Sequence, residues 1–146
     1  MFCTFFGHRD TDDNIKPILK DTIIDLIENQ NVSVFYVGSE GNFDSMVIEC
    51  LRELSIIYSN IKYFVVLAYM PKTKEKDLFL EKYDTIYPDG LEKTLPRFAI
   101  YNRNRWMVKN SDYVVAYVSH SFGGAAQFVE LAEREEKVVI NLYEFK

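Results

Sequence analysis

Short, nearly unbroken apolar runs alternate along this chain with stretches whose apolar residues fall at helical spacing. Phe2 to Phe6 is the first run, closed by Gly7; Val32 to Val37 ends at Gly38, and Ile61 to Tyr69 is stopped by Pro71. A run without polar interruption is expected of a strand covered on both faces. Between the runs, Ile15, Ile18, Leu19, Ile23, Leu26 and Ile27 place a helix over 14–29. Asp12, Asp13 or Asn14 can cap it, and Pro17 is tolerated in its first turn. Phe43, Met46, Val47, Cys50, Leu51 and Leu54 place a second helix over 43–58, with Asn42 as its cap. The rhythm resumes with a helix at about 97–110, a strand at 112–118, a helix at 124–136 and a last strand at 137–143. Strands alternating with helices imply an α/β fold: a Rossmann-like three-layer sandwich, its five-stranded sheet mainly parallel and carrying helices on both faces.

At 146 residues and 48% hydrophobic content, the expectation is a single domain over 1–146 with a proper core. The stretch at about 70–97 breaks the pattern. Lys72 to Lys82 is charged and Tyr87-Pro88-Asp89-Gly90 reads as a turn, so this irregular insertion exceeds the usual connection length. Cys3 and Cys50 fall in apolar segments without metal-ligand spacing, and read as core residues in a reducing compartment. No basic leader and no apolar stretch of membrane-spanning length is visible, which points to a soluble cytoplasmic domain. A net charge of −5 argues against a nonspecific nucleic-acid surface, so nucleic acid and membrane are not expected partners. No metal and no cofactor is expected.

In an open parallel sheet, ligands bind outside the carboxyl ends of the strands, near the point where strand order reverses. Three connections there carry glycine: Gly7-His8-Arg9-Asp10, Gly38-Ser39-Glu40-Gly41-Asn42-Phe43-Asp44 and Ser119-His120-Ser121-Phe122-Gly123-Gly124. Both histidines of the chain lie among them. His8 and Arg9 either contact a phosphate or ribose or hydrogen-bond within their own loop. Gly38 and Gly41 allow a close approach of ligand or serve turn chemistry. Asp44 binds a ribose hydroxyl or offsets the helix dipole. Arg103 and Arg105 diverge on one helix, so one of them faces the site. Glu130 acts on a ribose or a water, or is a surface acid beside Glu133, Glu135 and Glu136. Gly123 and Gly124, between a strand and a helix, bring backbone N–H groups and a helix dipole to an anion.

These residues resemble the SLOG superfamily, the Rossmann-like group that includes LOG enzymes, DprA-type and YpsA-like proteins. The resemblance rests on Arg103-Asn104-Arg105-Trp106-Met107, Ser111-Asp112 and the turn Gly123-Gly124-Ala125-Ala126-Gln127-Phe128-Val129-Glu130, with Phe5-Phe6-Gly7 and Tyr36-Val37-Gly38-Ser39-Glu40-Gly41 upstream. Ala126 and Gln127 replace the family's third glycine and its threonine. The resemblance implies phosphate binding around Gly123, Gly124, Ala125 and Gln127, with Arg9, Arg103, Ser119, His120 and Ser121 contributing. Its leading implication is a protein that senses or sequesters a nucleotide or nucleotide-derived signal, such as an ADP-ribose-like or cyclic nucleotide molecule. The alternative is a LOG-like phosphoribohydrolase acting on nucleoside monophosphates, with Arg103 and Glu130 catalytic. A third reading is an interaction protein with a vestigial pocket. The resemblance also implies a homodimer or higher homo-oligomer.

Overall fold

The computed structural model of the chain describes residues 1–70 and 80–145. Its elements run β1 (Phe2–Gly7), α1 (Lys16–Asn29), β2 (Val34–Val37), α2 (Gly41–Ile57), β3 (Lys62–Val66), β4 (Thr85–Ile86), α3 (Pro96–Lys109), β5 (Tyr113–Tyr117), α4 (Gly124–Arg134) and β6 (Val138–Asn141). All six strands pair in parallel, in the order β4-β3-β2-β1-β5-β6. The sheet is one strand larger than the five that the pattern predicts. β4 pairs Thr85 with Val65 and Ile86 with Val66, inside the stretch read as irregular. Two residues are too few to stand out as an apolar run. Of that stretch, residues 71–79, with Pro71 and most of the charged run, lie outside the described residues.

Side chains alternate across the strands, and the two faces build two cores. Cys3, Phe5, Phe35, Val37 and Val115 join Leu19, Ile23, Phe43 and Leu51 from α1 and α2. Phe6, Tyr36, Val66 and Val114 join Met107, Val108, Phe128 and Ala132 from α3 and α4 on the opposite face. Phe5 stacks on Phe35 in the first core, and Phe6 on Phe128 in the second. Cys3 and Cys50 are both free and buried.

The caps resolve one open choice and overturn one expectation. The Asp12 carboxylate accepts from the Asn14 N–H at 2.8 Å ahead of α1, through a short 3-10 turn at Asp13–Ile15. Asn42 is not a cap. α2 begins one residue earlier, at Gly41, and the Asn42 amide donates instead to the Thr11 carbonyl and the Asp13 carboxylate. Successive strands step from β1 out to β4 on one side, and β5 and β6 lie on the other. The order therefore reverses between β1 and β5, and their carboxyl ends open a crevice. No helix among the described residues is long and apolar enough to cross a membrane.

Candidate functional site

A cleft of about 220 Å³ occupies that crevice, lined by the end of β1, the start of α2, one stripe of α3 and the start of α4. Ile100, Arg103, Asn104 and Met107 all line it. Their i, i+3, i+4, i+7 spacing puts them on one helical face, which leaves Arg105 pointing outward and exposed. Arg103 is a cation in an otherwise packed stripe, 2% exposed. Its Nη1 donates to the Val66 carbonyl at the end of β3 at 3.0 Å, and its Nε donates to Asn104 Oδ1 at 2.7 Å. Burial lowers the pKa of the guanidinium from its ordinary value, and the negative charges of Asp44 and Glu40 oppose that shift. Those two bonds use two of the five guanidinium N–H donors of this cleft-lining residue.

Asp44 is buried beside it. Its carboxylate accepts from the Glu40 N–H at 2.9 Å, so it serves the open end of α2 from within the first turns. Burial raises its pKa to about 6, against the Glu40 N–H and Arg103, which both favour the charged form. Arg9, at the rim, pairs with Glu40 at 3.4 Å and is 70% exposed. Such an exposed pair is worth about 0–1 kcal/mol and yields readily to a ligand anion.

The opposite rim is a ladder of rings. His8 stacks on His120 with centroids 3.9 Å apart, and His120 stacks on Phe122 at 4.0 Å. His8 Nε2 accepts from the Ser119 N–H at 3.1 Å, which places its ring proton on Nδ1. Burial is the main cause lowering the His8 pKa, followed by the charge of His120, with Asp10 acting the other way. His120 Nδ1 lies 2.8 Å from the Phe122 carbonyl, and the Phe122 ring ends the ladder 71% exposed to solvent.

The glycines divide by task. A Cβ on Gly7 would sit 2.2 Å from the Phe43 ring, and one on Gly38 would sit 2.8 Å from the Asp44 carboxylate and 3.2 Å from Arg103. Gly41, at φ +87°, lies against the backbone of Arg9. These three glycines are needed for packing. Around Gly124 there is nothing within 4 Å of such a Cβ, and Gly123, at φ +95°, meets only His120 at 3.8 Å. Among the glycines of the three carboxyl-end connections, the open ones are therefore those at the start of α4.

Of the residues singled out from sequence, Gly7, His8, Arg9, Asp44, Arg103, Gly124 and Ala125 line the cleft. Ser119 and His120 stand at its rim through His8, whereas Ser121, Gln127 and Glu130 are exposed and do not line it. Glu130 follows Phe128 and Val129, which take the buried face of α4, and so it turns away. Asn104, Glu40 and Phe122 were not among the expected contacts. The i, i+3, i+4, i+7 stripe on α3 was the signal for Asn104.

No protein-family model matches this chain, and no curated protein matches it. Solved structures do. DNA processing protein A from Helicobacter pylori, described for its single-stranded DNA binding mode, aligns with TM-score 0.65 at 16% identity, over 95% of this chain and 63% of that one. DNA processing protein A (DprA) from Streptococcus pneumoniae aligns with TM-score 0.67 at 18% identity, over 94% of this chain and 48% of that one. The chain thus spans less than two thirds of either, and at these identities the likeness shows the fold alone, a Rossmann-like α/β fold. A neighbour in this fold binds single-stranded DNA, and that finding overturns two expectations. The nucleotide-signal ligand, with its LOG-like hydrolase alternative, gives way, and so does the exclusion of nucleic acid as a partner. The expected self-association has no support in these likenesses either. Net charge is a poor guide here because charge is segregated: α3 carries Arg97, Arg103, Arg105 and Lys109 and no acid, in a chain of net −5.

Proposed function

We propose that this chain is one SLOG-type domain, cytoplasmic, that binds single-stranded DNA at the cleft between the carboxyl ends of β1 and β5. The observation that carries this reading is the ring ladder. Phe122 presents a solvent-exposed face, backed by His120 and His8, at the rim of a cleft lined by Arg9 and Arg103. An unpaired base has a free π-face to stack on such a ring, at about 1–3 kcal/mol per base. A duplex hides those faces. The phosphate next to the stacked base meets Arg9 and the leftover donors of Arg103, with the backbone N–H groups at Gly124 and Ala125 on the far wall. Gly7, Gly38 and Gly41 shape the cleft by packing, Asp44 holds the end of α2 and faces Arg103, and Ser119 holds His8. The likeness to a single-stranded-DNA-binding protein of the same fold supports the reading.

The test is fluorescence anisotropy with a labelled oligo-thymidine. Wild-type protein is expected to bind it, and a duplex of equal length is expected to compete poorly. Phe122→Ala, at an exposed position, is expected to weaken binding roughly tenfold. Arg9→Ala should weaken it and flatten the slope of log affinity against log salt by about 0.7. No binding, or duplex binding as tight as the single strand, overturns the reading.

A further inference from the structure

α3 has a second face that the cleft does not use. Phe98, Tyr101 and Arg105 lie three and four residues apart and form a stripe on the outside of the helix, with Arg97 beside it. Phe98 is 46% exposed and Tyr101 is 40% exposed. Each ring carries a cation: the Arg97 guanidinium lies 4.9 Å from the Phe98 centroid, and that of Arg105 lies 5.9 Å from Tyr101. Exposed apolar rings on a helix cost solvation, and ordinary surface helices carry single ones. Two rings at helical spacing, each flanked by arginine and with no acid anywhere on the helix, form a surface of defined chemistry.

The stripe is tied to the cleft through packed rings and through its own helix. Tyr101 packs on Phe128 with centroids 5.4 Å apart, and Phe128 stacks on Phe6, which lines the cleft, at 5.4 Å. The same helix turns Ile100, Arg103 and Asn104 into the cleft. Past Arg105, a groove of about 210 Å³ between α3 and α4 continues along Asn102, Trp106 and Lys109, where Glu135 is the one acid on its border. That acid repels a polyanion at the Lys109 end and leaves Arg97 to Arg105 as the favourable stretch.

Resting on the single-stranded DNA reading of the cleft, we propose that the Arg97–Phe98–Tyr101–Arg105 stripe is a second contact surface, which carries the strand out of the cleft along the outside of α3. The occupant is a polyanion with unstacked bases. The arginines meet phosphates, and the rings take base faces, with the guanidinium groups free to stack as well. From Arg97 to Arg105 the helix rises about 12 Å, which matches roughly three to four nucleotides at about 3.4 Å each. The stripe therefore extends the footprint beyond what the cleft alone holds.

A length series separates the two surfaces. Wild type is titrated with oligo-thymidines of four and twelve nucleotides, alongside the double variant Arg97→Ala/Arg105→Ala and the single variant Phe98→Ala. All these positions are exposed, and circular dichroism checks that each variant is folded. Wild type is expected to gain about tenfold or more in affinity from the shorter to the longer oligonucleotide. The double variant is expected to lose that gain, to keep its affinity for the shorter one, and to show a salt slope flatter by about 1.4 on the longer one. Phe98→Ala should lose part of the gain. If the double variant binds the longer oligonucleotide as wild type does, while Phe122→Ala weakens both lengths, the stripe proposal fails and the cleft reading stands. If wild type binds neither length, both fail.

Discussion

One wall of the cleft is filled to contact, and the other stands open. On the β1, β2 and α2 side, Gly7 admits the Phe43 ring, Gly38 admits Asp44 beside Arg103, and Gly41 lets α2 start against the backbone of Arg9. On the side of the β5–α4 connection, a side chain on Gly124 would meet nothing within 4 Å, and Phe122 projects 71% exposed. Glycines look alike in sequence, yet the first group makes room for the protein itself and the second leaves room for something else. The filled wall holds the charges in place; the open wall offers surface to a ligand.

The comparison is most sharply tested at the filled wall. Phe43 is fully buried, so Phe43→Ala is expected to cost about 3–5 kcal/mol in denaturant unfolding. Gly7→Ala alone should cost about 1–3 kcal/mol through overpacking. Added to Phe43→Ala, it should cost almost nothing further, because the ring it strikes is gone. Additive losses in that double-mutant cycle would show that Gly7 serves something other than the ring.

A smaller effect is expected from Asp44. Its pKa is about 6 in the folded chain against an ordinary 3.8, so its contribution to stability is fully present below about pH 3.8 and is lost as pH rises through about 6. The same titration changes the charge of the cleft. As pH falls from 7.5 to 5.5, Asp44 becomes neutral while Arg103 stays charged, and affinity for oligo-thymidine should rise on the order of tenfold. Burial holds the His8 pKa below its ordinary value, which works against its gaining charge as pH falls. Asp44→Asn is expected to bind more tightly at pH 7.5 and to lose most of the pH dependence. An unchanged pH profile in that variant would assign the effect elsewhere.

The smallest effect belongs to the open wall. Gly124→Ala is expected to stabilise the chain by about 0.4–1 kcal/mol, since a helix start with free space accepts alanine. It should nevertheless weaken oligonucleotide binding, because a methyl group there holds the strand away from the backbone N–H groups. Unchanged binding would reduce Gly124 to a helix-start residue.

Much of this architecture was legible from local pattern. The continuous run at Phe2 to Phe6 and the helical spacing of Ile15 to Ile27 each report burial through period alone, and both elements formed close to where the pattern put them. The outward turn of Arg105 and the inward turn of Arg103 follow from the 3.6-residue repeat. β4 was illegible because two residues carry no period, and its place in the sheet comes from pairing with β3. Glu130 was read from its spacing after the glycine turn, and the packing of Phe128 and Val129 turned it away.

By itself, then, the sequence determined the alternation of strands and helices, the parallel sheet and the three connections at its carboxyl ends. Period and turn chemistry are properties of neighbours along the chain, and they survive without knowledge of the fold. What only the tertiary structure decided is which glycines are filled and which are open, and that His8 meets the 119–122 loop from 111 residues away. Those facts depend on strand order and register across the β1/β5 switch point. No local spacing encodes a contact between chain segments that meet only when the sheet closes.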